Sequence, residues 1–500
     1  MRSVGYAFVR EALALAVFAP ARPASVRPVT RLERGPDALA VPAHVAPSGD
    51  EPLSHLLFAI KHEGIDLQIL AKALPRIPPE AMQAELRSAP NGQYIRVACH
   101  LWEAFAGRSL GERPDITARY VDVFDPSRYV TGPSRRDARW RVNFNGLGSL
   151  RYCVNVERTP ALEAAMASDV LGRTRAFVEG LAPDMMDRAL SWAYLHETED
   201  SYAIEREAPT EDKARAFIAL LKQAHEGRPL DEDYLVELQS SIVANPFDKA
   251  VQFRTEQNWL RGAARGAAGV SHVPPPPGDV PALMDDWMAF ANTAPRTMDP
   301  VLAASIASFG FVFIHPFMDG NGRLSRFLFH KALCDSGRLA RGLLLPVSVA
   351  MKRHEGDYLA TLQAFSRPAR ELVQVTTVDA DDFRFDFRSD DVVYRYWDAT
   401  RCVEFGFRMA ELALDVELRR ETTYLMHFDA VHRAIDERFD VRGSVLATLV
   451  AIGLQADGTI SRTKRARYAA VVPAAVFDAI EMEIRRVLAS PELTPDAGTG

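Results

Sequence analysis

The stretch HPFMDGNGRLSR, His315 to Arg326, places one imidazole, one carboxylate, two glycines, an asparagine and two arginines in close succession. It follows the apolar run ASFGFVFI, 307–314. From Asn321 onward, Leu324, Phe327, Leu328 and Ala332 recur at helical spacing, and Gly337 stands where a C-terminal cap belongs. This spacing predicts a Gly-Asn-Gly turn that opens a helix. Upstream, Leu302, Ile306, Phe309 and Phe313 predict a buried helix that anchors the turn.

The residue types suit phosphate chemistry. Glycines let a backbone approach a ligand closely. The first N–H groups of a helix lack internal partners, and the macrodipole adds partial positive charge, so the turn is a candidate anion site. Arg323 and Arg326 are three apart, share a helix face and can fork onto phosphate oxygens. Asp319 can hold Mg²⁺, which takes one or two carboxylates plus phosphate oxygens. His315 can accept a proton from a hydroxyl near neutral pH. Together these parts suit attack of a hydroxyl on a nucleotide phosphate. A capped surface turn is the plainer reading, and a D-G-N-G turn alone would suit it; the ordered set of functional positions argues against it. A Walker A loop needs Lys-Ser/Thr after its last glycine, which is missing here. An EF-hand fails because its fifth and twelfth positions would be Arg323 and His330.

The motif His-Pro-Phe-x-Asp-Gly-Asn-Gly-Arg-x-x-Arg resembles the signature of Fic (Fido) proteins and matches it at every fixed position. FRTEQNWLRG, 253–262, and VPPPPGDVPALMDDWMAF, 273–290, resemble that family's substrate-binding flap and the helix after it, and the ending GTISRTKRARYAAV resembles its larger bacterial members. The resemblance implies a mainly α fold: a Fic-type helical core with a small β-hairpin flap, flanked by N- and C-terminal helical extensions. It implies transfer of a nucleotide monophosphate, most often AMP from ATP, to a protein Tyr, Thr or Ser. His315 would be the general base and Asp319 would hold Mg²⁺. Gly320, Asn321 and Gly322 would form the anion hole, assisted by Arg323, with Leu324 and Ser325 inside the same phosphate-binding stretch. Arg326 would hold the γ-phosphate, and the target would line up along the flap near Phe253.

Many members of that family carry an inhibitory helix with the pattern [S/T]-x-x-x-E-[G/N]. Here SYAIER supplies Ser201 and Glu205, with Arg206 in the last position. A carboxylate beside Arg326 would compete with the γ-phosphate for one guanidinium fork. The same glutamate could instead position a water that removes AMP, and the sequence does not separate the two roles.

The rest of the chain frames this centre. Its 500 residues are 48% hydrophobic and 25% charged, enough for two or three domains with a sizeable core. The net charge of -7 disfavours broad nucleic-acid binding. Cys99, Cys153, Cys334 and Cys402 are scattered, form no C-x-x-C and fit a reducing cytoplasm. Arg10 and Glu11 break the N-terminal apolar stretch, which argues against a signal peptide, and no apolar run approaches the about 20 residues of a membrane span. Residues 1–55 read as extended wrapping segments, and the last dozen as a tail. The expected organisation is an N-terminal region over 1–180, an inhibitory helix region over 183–210, a catalytic domain over 215–380 and a C-terminal helical domain over 390–490. Around Arg462, Lys464, Arg465 and Arg467 that last domain has two readings, a winged-helix-like module and a solvated basic turn, and the turn is favoured. His196 lacks metal-ligand spacing, and the prolines at 274–277 read as a stiff connector.

The leading expectation is a cytoplasmic protein adenylyltransferase that uses ATP and Mg²⁺ and is restrained through Glu205. Its partner would be a protein hydroxyl, the chain itself included; a homo-oligomer is compatible, and nucleic acid stays open as a disfavoured partner. The alternatives are deAMPylation or transfer of another nucleotide and, from another class, a nucleotide-sensing, DNA-associated regulatory protein.

Overall fold

Pro300–Ile314 forms a helix in which every side chain is buried. Its mean character is so apolar that only a core position suits it. Asp299 caps its start by accepting from the backbone N–H of Val301 at 2.8 Å and of Leu302 at 3.2 Å, with Pro300 at the first position. His315 ends it in the left-handed region, at φ 52°. The chain turns back through Asp319 and Gly320 into the helix Asn321–Asp335, which Gly337 closes at φ 71°. A third helix, Val280–Thr297, donates from Trp287 Nε1 to the Ala307 carbonyl at 3.1 Å. The helix Glu355–Glu371 brings Phe365 face to face with Phe313, ring centres 4.1 Å apart. The other three helices fix the anchor helix on several sides, so the turn after it is held rigidly.

The computed structural model describes all residues except 1, 244, 246, 247, 263, 341, 380, 381 and 491–500. Most of the expected C-terminal tail therefore lies outside the described residues. The fold is mainly α, with small two- and three-stranded sheets. The chain forms two compact units. One comprises 1–169, 205–339 and 354–408; the other comprises 170–204, 340–353 and 409–500.

In the first unit the N-terminal region is less extended than its composition suggested. Gly5–Ala12 is a helix, because Tyr6 and Val9 can bury one face. Ala24–Val26 pairs in parallel with Leu39–Val41, which pairs antiparallel with Glu33–Arg34. Four more helices and two small sheets follow within 52–154. The flap is a hairpin of Leu260–Arg261 against Val270–His272, so only the end of the stretch 253–262 lies in it. Phe253 lies outside it, buried against Phe317 at 5.6 Å between ring centres. The reason is Arg254. Its backbone N–H donates to the Pro316 carbonyl at 2.8 Å, and its guanidinium is spent on loop carbonyls, so the segment braces the turn after the anchor helix in place of forming a strand ladder.

The second unit contains the helix Pro183–Ile204 and the helices Arg419–Asp436, Gly443–Gln455, Arg462–Tyr468 and Ala474–Leu488. The last helices share a core that includes Ile435, Leu449, Val476 and Ile480. Among the described residues no strand follows Phe387, so a wing is missing from the winged-helix expectation. Arg465 is paired with Asp478 and Glu481, each at 2.7 Å, which spends its charge locally.

These units divide the chain differently from the expected domains. The N-terminal region and the helices around the glycine turn fall in one unit, and residues 340–353 leave it while the chain on either side stays. Such an excursion has no compositional mark, because each of its segments buries an ordinary apolar face.

Candidate active site

The site starts from a strained backbone. His315 adopts the left-handed conformation that non-glycine residues rarely take. Two contacts hold it there. Arg254 Nε donates to the His315 carbonyl at 2.9 Å, and the ring Nδ1 lies 3.1 Å from the Val312 carbonyl. With Nδ1–H donating to that carbonyl, Nε2 carries the lone pair. The ring is buried, and burial pushes its pKa down from 6.5 to about 4; the Arg254 charge adds to the fall while the Val312 bond and Asp319 oppose it. The imidazole is therefore neutral at physiological pH, the form a general base requires.

The turn is braced from inside. Asn321 Oδ1 accepts from the Phe317 N–H at 3.0 Å and its Nδ2 donates to the Phe317 carbonyl at 2.7 Å. Its side chain thus shapes the loop, leaving backbone N–H groups as what Asn321 can offer an anion. Gly320 takes φ 85°, which only glycine adopts cheaply, and its N–H donates to Asp319 Oδ1 at 2.7 Å. Ser325 Oγ donates to the Gly322 carbonyl at 2.8 Å, and Leu324 is fully buried, so both support the helix.

Both arginines lie almost wholly buried in the helix that follows, at 3% and 1% exposure. Arg323 donates to Asp319 Oδ1 at 3.2 Å and to Glu207 Oε2 at 3.0 Å. Arg326 donates to Glu205 Oε1 at 3.0 Å. Tyr358 lies against Arg326 and Ser325, and burial above all raises the pKa of its phenol. The cradle's anion is therefore the protein's own. A Cβ added to Gly322 would come within 2.1 Å of Glu205 Oε1, so the carboxylate fills the space directly over the glycine turn.

Glu205 reaches this place just past the end of the helix Pro183–Ile204. Of the two motif residues, Ser201 is within the helix and fully buried, and Glu205 follows its last residue. Arg206 then takes φ 61°. This gives the Gly/Asn preference at that position a physical reason, since the chain must pass through the left-handed region there. Arg206→Gly should raise stability by roughly 0.5–1 kcal/mol, the relieved strain less the extra freedom of glycine in the unfolded chain. A higher thermal midpoint in calorimetry is the expected result; an unchanged or lower one contradicts it.

Sequence reasoning missed several residues that position the site. Arg254 holds the His315 carbonyl, Asn258 Nδ2 donates to the Phe317 carbonyl at 2.9 Å, and the His272 ring Nε2 meets the Phe313 carbonyl at 3.0 Å. Arg254 and Asn258 come from the stretch read as flap, and His272 from the second strand of the hairpin, where polar residues look solvent-facing. Phe253, read as target-facing, is in the core.

Residues 229–333 match the Fic/DOC family. Over 113 residues the chain is 34% identical to the protein adenylyltransferase Fic of Aedes aegypti and 38% identical to that of Culex quinquefasciatus. Each alignment covers 22% of this chain and 19% of the relative, so the chain spans about one fifth of the length of these curated relatives. A Fic family protein from Desulfovibrio desulfuricans superposes with a TM-score of 0.40 and 21% identity, covering 62% of this chain and 87% of that one. No helix among the described residues is long and apolar enough to cross a membrane. With the HPFMDGNGRLSR turn, its neutral imidazole and its two buried arginines inside the matched span, the chain carries a Fic/DOC family domain.

Proposed function

We propose that the chain is a protein adenylyltransferase that moves AMP from ATP to a Tyr, Thr or Ser hydroxyl, and that Glu205 restrains it in cis. One observation carries this reading: a carboxylate occupies the space over Gly322 and binds Arg326, where a nucleotide's terminal phosphates would otherwise sit. An anion in that place supports a site built for anions, and its origin in the same chain supports a brake. The adenylyltransferase name of the curated relatives supports the choice of reaction over removal of AMP or a purely regulatory role.

In this reading the target hydroxyl gives its proton to His315 Nε2 as its oxygen attacks the α-phosphorus. The bond from that phosphorus to the bridging oxygen breaks, and pyrophosphate leaves. Backbone N–H groups at Gly320–Gly322 and the Arg323 and Arg326 guanidiniums hold the phosphates. Asp319 is a single carboxylate at 46% exposure beside the cradle, which fits Mg²⁺ with its preference for few carboxylates and retained water. The ion would supply neutralisation of phosphate charge, and Arg323 would release Asp319 to it. A target would enter beside the hairpin, where Leu260 is exposed. Four cysteines outside any disulfide support a reducing compartment such as the cytoplasm.

The test is incubation of the full chain and of Glu205→Gly with Mg²⁺ and α-labelled ATP, UTP, CTP or GTP, followed by intact-mass measurement. The expected outcome is an added AMP group, with ATP preferred by about tenfold or more over the other nucleotides, a discrimination within reach of a few specific base contacts. An adduct of a different nucleotide, or no adduct in either protein with any target lysate, would sink the reading.

A further inference from the structure

Each arginine of the cradle is held by an acid from one short segment. Glu205 accepts from Arg326 and Glu207 accepts from Arg323, both at 3.0 Å. The segment, 205–210, leads into the helix Glu211–Gln223, which Thr210 caps by accepting from the Lys213 N–H at 3.4 Å. Pro209 keeps Ala208 out of the helical region, so the segment is confined at this end. Arg206, between the two acids, takes φ 61°, and the chain turns there. Arg323 and Arg326 are three apart on one helix face, and a turn between the acids lets both carboxylates address that face. The inhibitory pattern ends at Arg206 and does not include Glu207.

Folding does not require this second acid. The Arg323 guanidinium is 3% exposed, and Asp319 already accepts from its Nη2 through both oxygens, at 3.2 and 3.3 Å. Glu207 takes Nη1 of the same fork. At 41% exposure its carboxylate is solvated and screened, so as a tie the pair adds little stability. Its consequence falls on a nucleotide instead. A phosphate that reaches Arg323 brings a third anion to a guanidinium that Asp319 and Glu207 share, and it has to displace Glu207 from the fork.

We propose that Glu207 is a second restraint on the cradle, a positioning residue that acts through Arg323 against the inner phosphates while Glu205 acts through Arg326 against the terminal one. This inference rests on the reading of the cradle as a nucleotide site. The two acids then do different things. Glu205, over Gly322, misplaces the end of a triphosphate. Glu207 lowers affinity for any nucleotide that carries a diphosphate. Removing Glu205 alone leaves this second restraint in place.

The experiment is calorimetric titration of ADP, with Mg²⁺ present, into the full chain and into Glu207→Gln, Glu207→Ala and Glu205→Gln. ADP lacks the γ-phosphate, so it isolates the contact with Arg323. Both Glu207 variants should bind ADP about two- to fivefold more tightly than the wild type, the span of a partly screened ion pair converted to affinity. Glu205→Gln keeps the bulk over Gly322 and should leave ADP affinity unchanged. A merely structural tie moves the result the other way, because a loosened Arg323 holds phosphate less well. Circular dichroism checks that each variant is folded. ADP affinity that is equal or weaker in both Glu207 variants, or a gain in Glu205→Gln as large as theirs, overturns the inference and leaves the nucleotide site standing. Failure of ADP and ATP to bind any of the folded proteins overturns the site and the inference together.

Discussion

Replacing His315 by alanine should lower AMP transfer roughly a thousandfold, the range of positioned proton transfer, while ATP still binds. Phosphate contacts in this reading come from backbone N–H groups and the two arginines, none of which involve the ring. The loop should also survive, since Arg254 holds the 315 and 316 backbone carbonyls whatever side chain follows. The pH profile gives a second readout. The base works when neutral, and its folded pKa is depressed from 6.5 to about 4, chiefly by burial. Transfer should therefore stay level as pH falls through 6.5 and decline only near 4. Stability moves in the same direction for a related reason. Between 6.5 and 4 the unfolded chain takes up a proton that the folded imidazole refuses, so stability falls as pH drops through that window. His272, also pushed down by burial to about 3, adds to the same slope. Circular dichroism at each pH separates loss of the base from loss of fold. Retained transfer in His315→Ala, or an acid limb centred near 6.5 in folded protein, contradicts the assigned base.

The two helices around the turn were legible in the sequence because each carries its own periodicity. Phe309 and Phe313 mark a face before the motif, Leu324 and Leu328 mark one after it, and Gly337 marks the end. A helix start rich in glycine and arginine has few other uses, so the anion site followed from local chemistry. Arg254 did not. Its meaning lies in a contact with a carbonyl far along the chain, and a buried arginine spent on loop carbonyls looks, in sequence, like an exposed strand residue. Tyr358 was invisible for the same reason, since it meets Arg326 only through tertiary packing. Arg206 is the reverse case: its side chain departs from the family pattern, yet the backbone there takes the conformation that the usual glycine would favour.

Glu205→Gly should raise self-labelling from ATP by roughly ten- to a hundredfold, the usual span of an intramolecular coupling. The argument rests on which partner Arg326 prefers. Its guanidinium is 1% exposed, so in the resting protein it needs an anion, and Glu205 provides one at 3.0 Å. The carboxylate itself is 37% exposed and follows the end of a helix, so a charged polyphosphate can displace it in part. Displacement is incomplete while the side chain also occupies the space over Gly322. ATP should then bind with its terminal phosphates misplaced, and the attacking oxygen would lose its line to the α-phosphorus. Removal of the brake is thus expected to act mainly on kcat, with a smaller fall in KM for ATP. Glu205→Gln separates charge from bulk: if repulsion of phosphate dominates, it should approach the glycine variant; if occupancy of the space dominates, it should stay near wild type. Arg206→Gly is the control, since it relieves strain beside the carboxylate and leaves the Arg326 contact in place. Arg326→Ala should lose activity with or without Glu205, because the fork serves the nucleotide as well as the brake. Labelling that is unchanged or lower in folded Glu205→Gly would leave the Arg326 pair as a structural tie and nothing more.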